Sequence, residues 1–160
     1  MSRLKELTDY KNTIVQRLVG NQEICKAVFY QNSDFLEQPD VDYTNLLYSN
    51  IYPYDFVPST DEMLSIMKTY IALSVTDYRK ASGAQFKAGN VFVRVFTHKN
   101  LYRTDYDFLR VDYLVSKIDE LLSGERGIGI GKLEFVGMKE YSINSDYMGT
   151  YLHYRPVDFS

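Results

Sequence analysis

The sequence predicts an α+β fold in which a mostly antiparallel four-stranded sheet packs on one long amphipathic helix, preceded by short N-terminal helices. Three observations predict it. Between Asp105 and Leu122 apolar residues recur at steps of three and four (Phe108, Leu109, Val111, Leu114, Val115, Ile118, Leu121, Leu122), the spacing that gathers side chains on one helical face. Tyr70–Tyr78 and Asn90–His98 alternate instead, with Ile71, Leu73 and Val75, then Val91, Val93 and Val95, on one side. Two more extended runs, Lys132 to about Tyr141 and Thr150–Asp158, close the chain. Strands joined mainly by hairpins pair antiparallel, and a helix with one dry stripe covers one face of the sheet they make.

The chain reads as one domain in three stretches. In residues 1–30, Leu4, Leu7, Ile14, Val15 and Leu18 form a first helical stripe that Gly20 ends, and Asn21 offers the N-cap of a second helix carrying Ile24, Ala27 and Val28. Residues 31–66 form an irregular Tyr- and Pro-rich segment broken by Pro39, Pro53 and Pro58, with one helical turn expected near Val41 to Leu47. Its aromatic residues indicate a packed or partner-contacting segment. Residues 67–160 hold the sheet and the main helix. Arg79 to Lys87 joins the first two long strands and is longer than a tight hairpin needs, so it reads as a protruding basic arm. The main helix has Thr104 or Asp105 as its expected N-cap and Gly124 as its stop. Arg110, Asp112, Lys117, Asp119 and Glu120 are expected on its wet face.

Composition narrows the class. A net charge of -3 and a pI near 5.4 argue against an extended basic surface for nucleic acid, though not against a local basic patch. The lone Cys25 excludes an internal disulfide and a Cys-based zinc site, fits a reducing cytoplasm, and reads as a small core residue. The N-terminal residues carry no apolar signal core and no run approaches a membrane span, so a soluble, unexported protein is expected. With 15 Tyr, 9 Phe and no Trp, the chain favours surfaces that are wet in a monomer and covered in an assembly.

Reactive chemistry is sparse. Gly127, Gly129 and Gly131 match neither the P-loop nor the dinucleotide fingerprint, and they lie between a helix and a strand, the reverse of the phosphate-binding order. His98 and His153 show no HxxxH or HExxH spacing. The first reads as a strand end and the second as a half-exposed sheet residue. No catalytic, cofactor-binding or metal residue is therefore assigned. The residues assigned to partner or oligomer contacts are Arg79, Lys80, Phe86 and Lys87 in the arm, and Tyr52, Tyr54 and Phe56 in the Tyr-rich segment.

The runs VFVRVFTHKN, YRTDYDFLRVDYLVSKIDELL, GIGKLEFVGMKEY and GTYLHYRPVDF, over about residues 65 to 160, resemble the tail-terminator or tail-completion proteins at the neck of long-tailed bacteriophages. The resemblance lies in order and texture: a strand ending in Thr-His, an amphipathic helix with an Ile-Asp-x-Leu-Leu end, and a closing hairpin ending in Asp-Phe. It implies an α+β virion subunit that closes into a six-membered ring on the tail tube, halts tube growth and meets the head connector, with DNA passing through the lumen without sequence-specific binding. The Tyr-rich region from Asp40 to Thr60 departs from the compact pattern of that family. A head-closure or adaptor protein on the connector side is the alternative. Readings of another class are a cytoplasmic scaffold and a small hydrolase or nucleotide-binding enzyme using His98 with nearby aspartates such as Asp105.

Overall fold

The computed structural model of the protein describes residues 4–76, 79–80, 86–87, 89–123 and 132–157. Two helices come first, α1 (Leu4–Val19) and α2 (Gln22–Phe29). The Asn21 side chain accepts a hydrogen bond from Ile24 N at 3.1 Å, which meets one of the donors that a helix start leaves unpaired. Residues 31–66 then fold as two single 3-10 turns at Phe35–Glu37 and Tyr43–Asn45, a two-residue strand β1 (Ile51–Tyr52) and a short helix α3 (Thr60–Ser65) capped by Ser59. The remainder supplies β2 (Thr69–Thr76), β3 (Arg79–Lys80), β4 (Phe86–Lys87), β5 (Asn90–His98), α4 (Arg110–Leu122), β6 (Lys132–Ser142) and β7 (Tyr147–Val157).

The sheet is mixed and five-stranded, in the order β1-β2-β5-β7-β6, where the alternation predicts four strands, mostly antiparallel. β1 adds in parallel, setting Ile51 against Ile71 and Tyr52 against Ala72. A two-residue strand carries no period, so alternation could not have revealed it. The other neighbours are antiparallel, as expected, with Val93 facing both Leu73 and Leu152. In β6 the register slips between Phe135 and Gly137, leaving Val136 as a bulge.

Helices α1, α2 and α4 cover one face of the sheet. Ile14, Leu18, Ile24, Leu114 and Ile118 pack there with Ile71, Val93 and Leu152 in one cluster. The expectation of a single long helix does not hold: α1 has 16 residues and α4 only 13. α4 begins five residues later than the apolar stripe implies. Thr104 Oγ1 donates to Phe108 O at 2.7 Å and accepts from Tyr106 N at 3.2 Å, which closes a turn in place of a helix cap. Leu109 takes the cap position with no side-chain bond, and Ser123 ends the helix; Gly124 and the rest of the glycine run lie outside the described residues.

Arg110 overturns its expected place on the wet face. It is 0% exposed and, among the described residues, one of the largest fully buried side chains. Its guanidinium donates to the carbonyls of Leu101 (2.8 Å), Ala27 (2.7 Å), Tyr30 (2.9 Å) and Asn32 (2.9 Å), and it lies 4.6 Å from the Phe35 ring centroid. Two of those carbonyls belong to the last turn of α2, whose dipole favours a cation. Burial lowers the Arg110 pKa to about 10, so the group stays charged at neutral pH.

Candidate interaction surfaces

The second face of the sheet is covered over only part of its width. Tyr52, Tyr70, Ala72, Phe96 and Tyr147 form a smaller core there, closed by Phe56 and Met63 from the chain between β1 and β2. Tyr52 stacks on Phe56 with centroids 3.7 Å apart and planes 7° from parallel, and Tyr70 stacks on Phe96 at 5.0 Å. Of the three aromatic residues expected to meet partners, Tyr52 and Phe56 thus pack within the chain's own fold, while Tyr54 is 47% exposed. Beside Tyr54 stands Tyr48, 64% exposed and held at φ 60, a left-handed backbone that costs a non-glycine residue about 1–2 kcal/mol. β3 pairs with β4, Arg79 opposite Lys87 and Lys80 opposite Phe86, and these contact candidates' side chains lie outside the described residues.

The uncovered part of that face carries rings and cations. Arg94 lies between Phe92 (5.9 Å) and Tyr151 (5.7 Å), and its Nε is 3.2 Å from Asp55 Oδ1 without an aligned hydrogen bond. His153 stacks flat on Phe92 at 4.5 Å, and its Nε2 is 2.7 Å from Asn90 Oδ1. Burial first, then Arg155, lowers the His153 pKa, so the ring is neutral near pH 7. Lys139 and Arg155 stand exposed on the same face. His98 sits at the far end of β5, where its Nδ1 accepts from Asn100 N at 3.1 Å and its ring meets Tyr147 edge-on. The two histidines are therefore at opposite ends of the sheet. Cys25 is buried with Sγ 3.3 Å from Val19 O, and burial raises its pKa to about 11. Among the described residues no group of three or more His, Cys, Asp or Glu could hold a metal ion.

A third surface is acidic. Tyr106 ties two loops together: its hydroxyl donates to Glu37 Oε2 and accepts from Leu36 N at 3.1 Å, while Asp105 N donates to Ser33 O at 3.0 Å. Exposed Glu37, Asp105, Asp107 and Asp112 surround this knot, with Arg103 as the nearby exposed cation. A shallow depression of about 400 Å³ opens there over Phe108 and Leu109. Apolar side chains are also uncovered at both edges of the sheet. Phe135, Val136 and Met138 lie bare on β6, while Tyr48, Tyr54, Val57, Leu64, Ile66 and Met67 lie on the β1–β2 side.

The Phe92, Arg94, Tyr151 and His153 face was not among the residues assigned to contacts, although its alternation against Val91, Val93 and Leu152 is plain in the sequence. What the sequence lacked was any sign that the cover stops short of it.

Fold and surfaces together define an α+β domain with aromatic and apolar patches on opposite edges of one sheet. The chain belongs to the YomW family, whose model matches residues 21–156. The name is that of a phage-derived, SPbeta-prophage-like protein, which points to a phage-associated protein. No curated protein and no solved structure matches the chain. No helix among the described residues is long and apolar enough to cross a membrane.

Proposed function

We propose that this protein is a structural component of the virion at the phage neck. Six copies close into a ring on the tail tube, stop its polymerisation and form the joint to the head connector, while DNA passes through the lumen without sequence-specific contacts. The observation that carries this reading is the pair of bare apolar groups on opposite edges of the sheet, Phe135, Val136 and Met138 on one and Tyr48, Tyr54 and Ile66 on the other. Scattered single apolar residues are ordinary on a surface, whereas grouped ones mark contacts. Two unlike groups on opposite sides suit a heterologous contact, the kind that closes rings.

Membership of the YomW family supports the phage setting. The role needs no catalytic group, cofactor or metal, and its partners are sister copies, tail tube protein and connector protein. The test is to add the purified protein to polymerising tube protein. Tubes should stop growing and carry the protein at one end; growth unaffected at saturating protein would refute the role, and capture by connector protein alone would assign it to head closure.

A further inference from the structure

The two bare apolar groups differ in their surroundings. On β6 the register sets Phe135 against Tyr154 and Met138 against Leu152 on the helix-covered face, while Lys139, against Tyr151, and Arg155 lie on the open face, both exposed and, among the described residues, without an ion-pair partner. Glu134 stands across from Arg155 in the β6–β7 register, and Asp55 faces Arg94. Beside the β1–β2 group lies the acidic knot around Tyr106. Asn100, in the loop that leads to the knot, puts Nδ2 3.8 Å from Met67 Sδ, and Gln31 Nε2 donates to Met67 O at 2.6 Å.

The two surfaces are diagonally opposed. Arg155 is near the end of β7 that pairs with the start of β5, whereas the acidic loops follow the other end of β5 and flank the helix layer. Patches on opposite sides of one subunit cannot both lie in a single two-fold interface, so complementary charge between them directs a head-to-tail contact.

We infer that one copy seats its cationic, aromatic sheet face, with Lys139, Tyr151 and Arg155, against the acidic loops of the next copy, with Glu37, Asp105 and Asp107. This rests on the ring reading and names the contact by which the ring closes. Arg and Tyr are the residues that carry binding energy at such centres, and Asp and Glu opposite them fix orientation and exclude the reversed register.

Two surface variants test it, each with far-ultraviolet circular dichroism to establish folding. Lys139→Glu with Arg155→Glu blocks the first surface, and Asp105→Lys with Asp107→Lys blocks the second. In sedimentation velocity up to about 1 mM, where contacts of millimolar affinity begin to show, the parent protein should associate with rising concentration, and each variant should associate at least tenfold more weakly. Mixed one to one, the two variants should regain association, because each retains one intact surface and the two reversed surfaces are again of opposite charge. A parent that stays monomeric, variants that associate like the parent, or folded variants that fail to pair in the mixture would each overturn the inference. So would a labelled oligothymidylate bound by the parent and lost in the first variant while association is unchanged, since that result gives the face to nucleic acid. The tube assay above is read separately, so capped tubes with unpaired variants would reject this contact and leave the neck role standing.

Discussion

Arg110 Nη1 donates to the carbonyl of Ala27 at 2.7 Å, which makes the first residue of α4 the cation that caps the end of α2. A charge buried with four backbone acceptors is the most demanding single commitment in this molecule. Replacing it by Met removes the donors but leaves the carbonyls of Leu101, Ala27, Tyr30 and Asn32 in the interior. The expected loss is about 3–5 kcal/mol in chemical denaturation. Arg110→Lys keeps a charge without the planar fork and should lie between the two. A loss below about 1 kcal/mol for Arg110→Met would show that those carbonyls find other partners.

Gly149 faces Phe96 across β7 and β5, where an added Cβ would fall 1.9 Å from Val95 O and 2.6 Å from Phe96 Cα. Gly149→Ala should therefore push the two strands apart and cost about 1–3 kcal/mol. Gly137, at the β6 bulge, has nothing within 4 Å of that position. Gly137→Ala is the control and should change stability by no more than about 0.5 kcal/mol. Thermal unfolding of the two variants side by side checks the contrast.

Tyr52 and Tyr54 are two residues apart and should behave oppositely. Tyr52→Ala empties the stack on Phe56 beneath the second sheet face and should cost about 3–5 kcal/mol. Tyr54→Ala removes an exposed ring and should leave folding within about 0.5 kcal/mol of the parent while weakening assembly. Equal effects on stability would contradict the assignment of one ring to the core and the other to a contact.

Alkali should unfold the protein with a steep onset. Burial raises the pKa of Tyr10, Tyr70, Tyr141 and Tyr154 above the ordinary 10.0. Each folded value exceeds its unfolded one, so the stabilisation is fully present below about pH 10 and is lost as pH rises through the folded value, by about 1.4 kcal/mol per unit for each ring. Exposed rings such as Tyr48 and Tyr54 ionise without unfolding, so a second portion of the tyrosinate absorbance should appear only together with loss of helix signal. Ionisation of every ring with the fold intact would contradict the burial of these four.

Most of the sheet could be read directly. Asn90–His98 matches β5 to the residue, because one side of it faces a helix layer and the other a half-wet surface. Asn21 announced α2 for the reason a cap works at all: its side chain is short enough to reach Ile24 N. The failures share a cause. Phe108 continues the apolar stripe of α4, yet its ring stacks on Tyr113 at 4.4 Å in a cluster with Phe35 that is built across the chain. Arg110 looked like a surface charge because its partners at Ala27 and Asn32 are about eighty residues away in the chain. β1 escaped notice because its pairing with β2 spans the irregular segment. The candidate contacts were legible only as types: the tyrosines of the 43–58 stretch were visible, but which rings turn inward depends on Phe96 and Tyr70 from distant strands.

The central claim is that this chain leaves apolar and aromatic surface bare for sister copies and the tube end to cover. Electron microscopy of the protein mixed with isolated tail tubes tests it most directly. Rings of six at one end of the tubes, with density joining neighbouring copies, are the predicted result. Tubes with bare ends and no rings at saturating protein would contradict it.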